Sequence, residues 1–203
     1  MNTNNHAYVD LGLPSGTLWA TKPLMSKDGQ PLYFAWGGIQ GMAKEHIKKL
    51  DGLFGINQGK VGSVVPYMED YRTPTKYNRT DGKVVLDLED DAAHVHMGGD
   101  WHMPTKEQLE ELKANTTSTW TTQNGVNGRK FTSNVNGNSV FIPAFGNVGG
   151  GDVNDVGSYG YVWSSSVDEE SLNSAWYLYF YSSYFDVSSN GRPCGRVVLG
   201  VVG

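Results

Sequence analysis

The sequence predicts an α+β fold with two short helices and several short, mostly antiparallel strands, and three observations support this prediction. The 203-residue chain contains 26 glycines, many of them in Asn-Gly or Gly-Gly pairs that favour tight turns between short strands. Helix start signals precede small apolar or leucine positions in two stretches, 86–96 and 105–115. Beyond residue 175 the residues alternate with a period of two, as in a half-buried strand.

Composition and charge indicate one globular domain, spanning residues 7–203. A hydrophobic content of 38% with six tryptophans suits a single buried core, and no stretch has the composition of a linker. The net charge is −5 and the 16 basic residues are scattered, so the chain lacks the basic stripe that binding to a nucleic acid requires. Cys194 is the single cysteine, which excludes an intramolecular disulfide.

The N-terminus bears on where the protein acts. Residues 1–6 are polar and lack the apolar segment of a secretion signal, and no apolar run reaches the length of a membrane helix. We therefore expect no signal peptide and no membrane insertion. A role outside the cell then requires release by lysis, or incorporation into a virion or a cell-surface assembly; otherwise the protein is cytoplasmic.

The N-terminal third predicts short strands separated by turns. Residues 8–11 and 17–21 are strand candidates on either side of a Leu-Pro-Ser-Gly turn, in which proline presets φ and glycine accepts a positive φ. Trp19 in the second strand is expected in the core. Residues 32–36 form a further apolar strand candidate that ends in two glycines.

The stretch 39–79 predicts a long loop or an insertion. Its first part, residues 41–50, carries several charges that favour a short helix with a solvated face. The remainder mixes glycine, proline and tyrosine without a clear period, which is typical of an ordered surface loop.

Two helices are predicted in the middle of the chain. The acidic residues at 87–91 precede two alanines, which suits a helix N-terminus followed by a small apolar face. Thr105 follows a proline and can cap a second helix, which has leucines three residues apart and ends near Asn115. Strands then resume at residues 130–133 and 139–142, with a turn-rich segment between them.

The C-terminal segment predicts a β-hairpin with one apolar and one tyrosine-rich face. Its first strand is expected to bury Trp176, Leu178 and Phe180, and its second strand Phe185 and Val187. The opposite face is expected to present the residues that alternate with them, which are Tyr177, Tyr179, Tyr181, Tyr184, Asp186 and Ser188. Trp163, Trp176 and Phe180 are expected to act as scaffold.

The tyrosine-rich side of this hairpin is the candidate binding surface. Tyrosine offers large, fairly rigid contact area, and serine and asparagine offer adaptable hydrogen bonds, as in antibody paratopes. The predicted ligand-binding residues are Tyr177, Tyr179, Tyr181, Tyr184, Asp186, Ser188, Asn190 and Arg192, with Tyr159 and Tyr161 at the rim.

The order of several motifs resembles the Fibrobacter succinogenes major paralogous domain family, which is common in gut Bacteroidetes and their phages. The resemblance extends from Val9 to about Val198 and departs from the family over residues 39–71. The motifs are VDLGLPSGTLWA at 9–20, YFAWG at 33–37, EDDAA at 89–93, WHMPT at 101–105, GNSVFIPA at 137–144, WSSS at 163–166 and AWYL at 175–178.

This resemblance implies a C-type lectin-like fold, related to formylglycine-generating enzyme and to the variable proteins of diversity-generating retroelements. In those variable proteins, adenine-directed mutation diversifies a C-terminal segment that the scaffold displays for ligand binding. Mutation of AAY codons at adenine never yields Lys, Met, Gln, Glu or Trp, and residues 172–196 contain none of these except Trp176. The alternative is an ordinary fixed surface.

Metal and calcium sites are weighed against simpler interpretations. His94, His96, Asp100 and His102 are close in sequence, but His94 and His96 would diverge on a helix, so no metal site is predicted there. The acidic group at 89–91 is interpreted as a helix-terminal or capping cluster in preference to a catalytic pair. The Asp-Val-Asn-Asp stretch at 152–155 could bind calcium or form an Asx-rich turn, and it lacks the EF-hand pattern.

The sequence argues against an enzyme and predicts no cofactor. Chemistry like that of formylglycine-generating enzyme would need two cysteines, and the nucleotide-binding and nucleophile-elbow motifs are absent. We therefore predict a recognition module for a cell-surface protein or glycan, of the kind found in phage tails or adhesins. The alternative is an assembly module that uses the same face as a subunit interface in a homo-oligomer.

Overall fold

The computed structural model of the protein describes residues 1–47, 56–57, 60–61 and 64–203. Its α-helices are α1 (Lys44–Ile47), α2 (Ala92–Met97) and α3 (Lys106–Asn115), with a 3-10 helix at Leu88–Asp90. Its strands are β1 (Tyr8–Asp10), β2 (Leu18–Ala20), β3 (Ile56–Asn57), β4 (Lys60–Val61), β5 (Thr116–Gln123), β6 (Val126–Ser133), β7 (Ser139–Pro143), β8 (Asn147–Gly149), β9 (Asp152–Asn154), β10 (Tyr159–Val167), β11 (Ser174–Tyr181), β12 (Tyr184–Gly191) and β13 (Val201–Val202).

The architecture is mainly β, with small antiparallel sheets and few helices, in agreement with the predicted α+β class. Within the described residues, three sheets have three strands each, in the orders β1-β2-β13, β5-β6-β7 and β10-β11-β12. Two further pairs, β3-β4 and β8-β9, are two-stranded, and the strands of every sheet pair antiparallel. None of the described helices has the length and apolarity that crossing a membrane would require.

The first predicted strands and their core residue are confirmed. Tyr8 pairs with Ala20 and Asp10 with Leu18, so β1 and β2 lie side by side, and β13 at the C-terminus pairs with β2. Trp19 is completely buried. The two ends of the chain therefore close the same small sheet.

The predicted strand at 32–36 is wrong as a strand, although the segment is buried. It makes single bridges in place of a ladder, from Tyr33 to Met42 and from Phe34 to Arg196. Trp36 donates to the Ser164 carbonyl at 2.9 Å. The aromatic side chains thus hold this segment to the core. The strand prediction was wrong because a run of buried aromatic residues resembles a buried strand in sequence.

Both predicted helices of the middle region are confirmed, with their caps. Asp91 accepts a hydrogen bond from the backbone N–H of His94 at 3.0 Å and so caps α2. It also accepts from the backbone N–H of Met103, which ties α2 to the start of the next segment. Thr105 and Gln108 form a capping box at the start of α3.

The predicted strands at 130–133 and 139–142 are the C-terminal part of β6 and most of β7, and they pair as a hairpin. The preceding strand, β5, is a threonine-rich run that was not predicted as a strand, because its first residues were interpreted only as the mark of the helix end near Asn115. Thr116, the first residue of β5, follows directly after Asn115, the last of α3. A β-branched run favours strand where it can pair, and β5 pairs with β6 over its whole length.

The described part of the predicted loop at 39–79 is bound to the core by a polar cluster. The helix predicted at 41–50 is present as α1, and its last three positions lie outside the described residues. Asp90 is 5% exposed and accepts hydrogen bonds from Lys76 Nζ and from the hydroxyls of Tyr67 and Tyr77. Burial raises the pKa of Asp90, but these three donors outweigh burial and lower it below the ordinary value.

We expect Asp90→Asn to lower stability at neutral pH by about 1–3 kcal/mol, because it removes the charge that Lys76, Tyr67 and the buried Tyr77 face as donors. A carboxyl whose folded pKa is depressed stabilises the fold above its unfolded pKa, and that stability is lost as the pH falls through the folded pKa. The wild type should therefore lose stability below about pH 4 more steeply than Asp90→Asn does. Urea unfolding at several pH values measures this difference.

Glu89→Gln is the matched control for this prediction. Its carboxylate belongs to the same acidic group and lies 3.7 Å from Lys76 Nζ, but the side chain is 79% exposed. Its stability and its acid sensitivity should therefore match the wild type. Equal acid sensitivity in wild type and Asp90→Asn would contradict the role given to Asp90.

Candidate binding face

The strand register of the β10-β11-β12 sheet brings the predicted tyrosines to one face. In an antiparallel sheet, residues directly opposite each other lie on the same side. Tyr159 pairs with Tyr181 and Tyr161 with Tyr179 between β10 and β11. Between β11 and β12 the pairs are Tyr181 with Tyr184, Tyr179 with Asp186 and Tyr177 with Ser188. We call this surface the tyrosine face, composed of Tyr159, Tyr161, Tyr177, Tyr179, Tyr181, Tyr184, Asp186, Ser188 and Asn190.

The rings of the tyrosine face form a continuous network across three strands. The ring centroid of Tyr159 lies 5.9 Å from that of Tyr179, with an angle of 12° between the ring planes, and 5.4 Å from that of Tyr181. The ring centroids of Tyr161 and Tyr179 are 5.3 Å apart, and those of Tyr181 and Tyr184 are 5.9 Å apart. Each ring is thus held by at least one neighbour, which restricts its rotamers before any ligand binds.

Exposure increases along the face from an inner to an outer end. Tyr184 at the hairpin turn is 46% exposed, and Tyr159, Tyr161, Tyr179 and Tyr181 are half-buried. At the inner end, Tyr177 is only 7% exposed, with the guanidinium of Arg196 3.4 Å from its ring centroid. The expectation that Tyr177 is exposed on this face is therefore wrong for this structure, because the chain after β12 covers it; its contact with a ligand stays a prediction.

Hydroxyl groups give the tyrosine face its polarity. Burial, with the nearby Asp155 and tyrosines, raises the pKa of Tyr161 well above its usual range. Burial and the neighbouring tyrosines also raise the pKa of Tyr179. These phenols are therefore protonated at neutral pH and can both donate and accept hydrogen bonds.

The outer edge of the face carries the predicted polar residues. Tyr184 donates to Asp186 Oδ2 at 2.6 Å, and Lys113 Nζ from α3 donates to Asp186 Oδ1 at 2.6 Å. Lys113, followed by Tyr184, lowers the pKa of Asp186, so this carboxylate is already paired. Ser188 is half-buried and Asn190 is exposed.

Arg192 does not belong to the face, and its predicted role in ligand binding is wrong. The residue is completely buried, because β12 ends at Gly191 and the chain turns into the core. Its guanidinium donates to the carbonyls of Lys76 at 2.9 Å and Tyr77 at 2.5 Å, and it lies 4.6 Å from the Trp36 ring. Arg192 therefore holds the segment around Tyr77 to the core.

The opposite side of the hairpin is the apolar one, but two of the residues predicted to be buried there, Phe185 and Trp176, are only half-buried. Leu178, Phe180 and Val187 are buried on this side. Trp163 on β10 pairs with Tyr177 and therefore lies on the side of the tyrosine face, where it is completely buried, as predicted for scaffold. Trp176 points to the apolar side but is only half-buried. Its ring lies 3.8 Å from Lys106 Nζ and lines a cleft of about 400 Å³ with Asp168 and Glu107.

Two arginines lie at the ends of the tyrosine face, and the sequence interpretation did not consider either of them. Arg129 on β6 is 6% exposed and donates to the carbonyls of Tyr181 at 3.1 Å and Ser182 at 3.2 Å, which fixes the hairpin turn. Arg196 lies at the inner end. The one hint of its position in the sequence is that it directly precedes the apolar run Val-Val-Leu, although arginine is seldom fully buried.

The histidines and acids that could serve as metal ligands already form hydrogen bonds or ion pairs within the protein. His94 Nδ1 lies 3.1 Å from the Trp101 carbonyl, whereas His96 Nε2 lies 2.9 Å from the Ile39 carbonyl, so the two rings diverge. Among the described residues, Asp87, Glu89 and Asp90 are close enough together to hold an ion. Lys76 Nζ lies 2.9 Å from Asp87 and 2.5 Å from Asp90, so an ammonium already compensates this group.

The stretch weighed for calcium forms a β-hairpin. Asn147 pairs with Asn154 and Gly149 with Asp152. Asn154 Nδ2 donates to the carbonyls of Gly149 and Asp152, both at 3.1 Å. Residues 152–154 therefore form a strand, and not the Asx-rich turn that the sequence interpretation left as the alternative to calcium binding.

Comparison of the chain with protein-family models, with curated proteins and with solved structures gave no match. The functional interpretation of the tyrosine face therefore depends on its geometry and chemistry.

Proposed function

We propose that this chain is a non-catalytic recognition module that binds a protein or glycan of a cell surface through the tyrosine face. The observation that carries the proposal is the strand register, which collects six tyrosines from three strands on one side of a sheet. Five of them are at least partly exposed, although the ring of a tyrosine is apolar enough to be buried. Tyrosine-rich patches that remain accessible are typical of binding surfaces.

The physical state of the face supports binding at low entropic cost. Stacking restricts the rings, the backbone beneath them is a paired sheet, and the protonated hydroxyls supply hydrogen bonds at the rim of each ring. A ligand therefore immobilises few side chains on association, and this preorganisation increases affinity for a given contact area.

We further propose a C-type lectin-like fold and the role of a variable protein of a diversity-generating retroelement, in the family named above. The motif order supports both proposals, and so does the position of Trp176. Among residues 172–196 it alone cannot arise by adenine mutation of AAY codons, and it points away from the tyrosine face. Such a protein would act on a virion or a cell surface, as in phage tails or adhesins.

Sequencing the 3′ end of the gene across a population of its source tests diversification. Substitutions should concentrate at Tyr179, Tyr181, Tyr184, Asp186 and Ser188 and should follow adenines. The buried positions of the same strands, Leu178, Phe180 and Val187, should stay constant. An invariant segment, or substitutions spread equally over both faces, would reject the retroelement proposal and leave a fixed binding surface.

Ligand capture is tested with a random peptide-display library and a glycan array, both probed with the purified chain. For ligands selected on the wild type, Tyr179→Ala should weaken binding about 5- to 30-fold, the effect of removing a central aromatic anchor. Tyr8→Ala is the matched control, because Tyr8 is a 49% exposed tyrosine on a different sheet. Equal effects of both substitutions, or none, would contradict binding at this face.

The assembly alternative makes a different prediction for the same residue. If the tyrosine face pairs copies of the chain, the wild type sediments as an oligomer and Tyr179→Arg dissociates it, because a charge is introduced into a buried interface. If the face captures another molecule, Tyr179→Arg leaves the sedimentation coefficient unchanged and abolishes ligand binding.

A further inference from the structure

Arg196 lies on the same side of the sheet as the tyrosine face, at its inner end. Residues 196–198 run beside β10, where Val162 and Val197 form a parallel bridge and Trp163 N–H donates to the Val197 carbonyl at 3.1 Å. Because neighbouring residues of an extended segment point to opposite sides, Arg196 points away from Val197 and towards the tyrosines. Its guanidinium lies 3.4 Å from the ring centroid of Tyr177, 4.1 Å from that of Trp163 and 5.7 Å from that of Tyr161.

The charge of Arg196 is buried without the partners that a buried cation normally has. The residue is 1% exposed, and its Nε and Nη1 have no hydrogen-bond partner among the residues that the structure describes. Burial lowers its pKa, and the groups that oppose this shift are Cys194, Tyr177, Tyr161 and Tyr71, none of them a carboxyl. Unpaired buried charge is unfavourable, so such a group needs an explanation.

The other two buried arginines show how this fold normally satisfies a guanidinium. Arg192 donates to two backbone carbonyls, and only its Nε lacks a partner. Arg129 donates through all three nitrogens, to Tyr181, Ser118 and Ser182. Arg196 differs from both because its guanidinium lies against the rings of Tyr177, Trp163 and Tyr161. Rings interact with the plane of a guanidinium and leave the N–H groups at its edge unused.

The chemistry of the unused donors identifies the group that they would bind. A guanidinium is a planar fork of N–H groups that matches a carboxylate, which accepts two hydrogen bonds at once. Access is narrow, because Tyr177 and Trp163 enclose the guanidinium and Tyr161 beside them is only half-exposed. A carboxylate on a thin, unbranched side chain can pass between rings after small rotamer changes, whereas a carboxylate attached to a sugar ring cannot.

We propose that Arg196 forms a carboxylate-binding subsite at the inner end of the tyrosine face, which pairs with a glutamate or aspartate side chain of a protein ligand. The proposal rests on the proposed function, since it names the chemistry of the ligand that the face takes. In the complex the stacked tyrosines contact the body of the ligand, and the buried guanidinium selects for an acidic residue at one position. The desolvated environment strengthens this ion pair and makes it specific.

The test is a titration of the whole chain followed by the NMR resonance of the Arg196 Nε–Hε group. The probes are a blocked hexaglutamate peptide, the corresponding hexaglutamine peptide and methyl glucuronide. We expect hexaglutamate to shift the Arg196 resonance in a saturable way and the other two to leave it unchanged. Arg196→Met should weaken hexaglutamate binding about tenfold or more.

Arg79→Met is the matched control, because it removes the same charge by the same substitution from an exposed arginine. Its hexaglutamate affinity should stay within about threefold of the wild type. Loss of binding in both variants would mean attraction to net charge and would overturn the subsite. Since the resonance is read on the wild type, a failure of Arg196→Met to fold leaves the test intact.

Two further results would overturn the proposal. No saturable shift with hexaglutamate rejects the subsite, and a shift with methyl glucuronide alone rejects a protein side chain as its occupant. Neither result affects the recognition function, which the Tyr179→Ala comparison tests independently. The opposite outcome is also informative. If hexaglutamate shifts the Arg196 resonance in a saturable way but Tyr179→Ala does not change the affinity for the selected ligands, the subsite exists and the function proposed for the face is wrong.

Discussion

Phe180→Ala is expected to lower the free energy of unfolding by about 3–5 kcal/mol, whereas Tyr179→Ala, one residue earlier, should lower it by about 1 kcal/mol. Phe180 is completely buried, and its ring lies 6.3 Å from that of Phe131. The same ring lies over Gly160, where any Cβ would overlap it, so the site cannot collapse without moving two strands. Alanine at 180 therefore leaves a cavity in the core.

Tyr179 differs because its ring is half-buried on the other side of the same strand. Its truncation removes stacking with Tyr159 and Tyr161 but opens no cavity in the core. Urea unfolding followed by circular dichroism gives both values, and equal m-values would show that the unfolded states are comparable. Similar losses in the two variants would mean that the faces of β11 are assigned incorrectly.

The two faces of this hairpin could be predicted because their pattern is local. The alternation of Leu178 and Phe180 with Tyr179 and Tyr181 fixes which residues share a side, whatever the strand packs against. The turn at Ser182 then sets the register, and the observed pairing of Tyr181 with Tyr184 follows from it. Helix caps at Asp91 and Thr105 were predictable for the same reason, since each depends on residues within one turn.

The degree of burial could not be predicted from the same pattern, because it depends on distant segments. Alternation places Tyr177 on the tyrosine face, but the chain around Arg196 covers it. It places Trp176 on the apolar side, yet only the edge of the core and Lys106 of α3 contact that ring. Period-two patterns specify a side of the sheet and carry no information on what covers that side.

Arg192 shows that period-two alternation stops predicting the direction of a side chain where the strand ends. Extending the alternation from Ser188 and Asn190 predicts an outward arginine, which would suit a binding anchor. The strand stops at Gly191, whose position is packed against Tyr71, and the next residue enters the core. Arg192 is held in the core by its hydrogen bond to the carbonyl of Lys76, which is more than 100 residues away in the sequence. Lys76 lies in a loop whose path the sequence does not predict.

Two of the buried arginines, Arg192 and Arg196, are expected to respond differently to the same substitution. Arg192→Met should lower the free energy of unfolding by about 2–4 kcal/mol, because it leaves the buried carbonyls of Lys76 and Tyr77 without donors. Burial lowers the pKa of Arg192 to about 10, but this is still far above neutral, so a charged donor is lost. Loosening of the segment around Tyr77 should follow, measurable as faster amide exchange there.

Arg196→Met should change stability by no more than about 1 kcal/mol in either direction. The substitution loses the contact of the guanidinium with Tyr177 and Trp163, but it also removes an unpaired buried charge, and methionine fills a similar volume between the rings. Thermal unfolding of both variants tests the contrast. A large loss for Arg196→Met would mean that the charge stabilises the free protein, and the case for a ligand carboxylate would then fail, because the fold itself would account for the arginine.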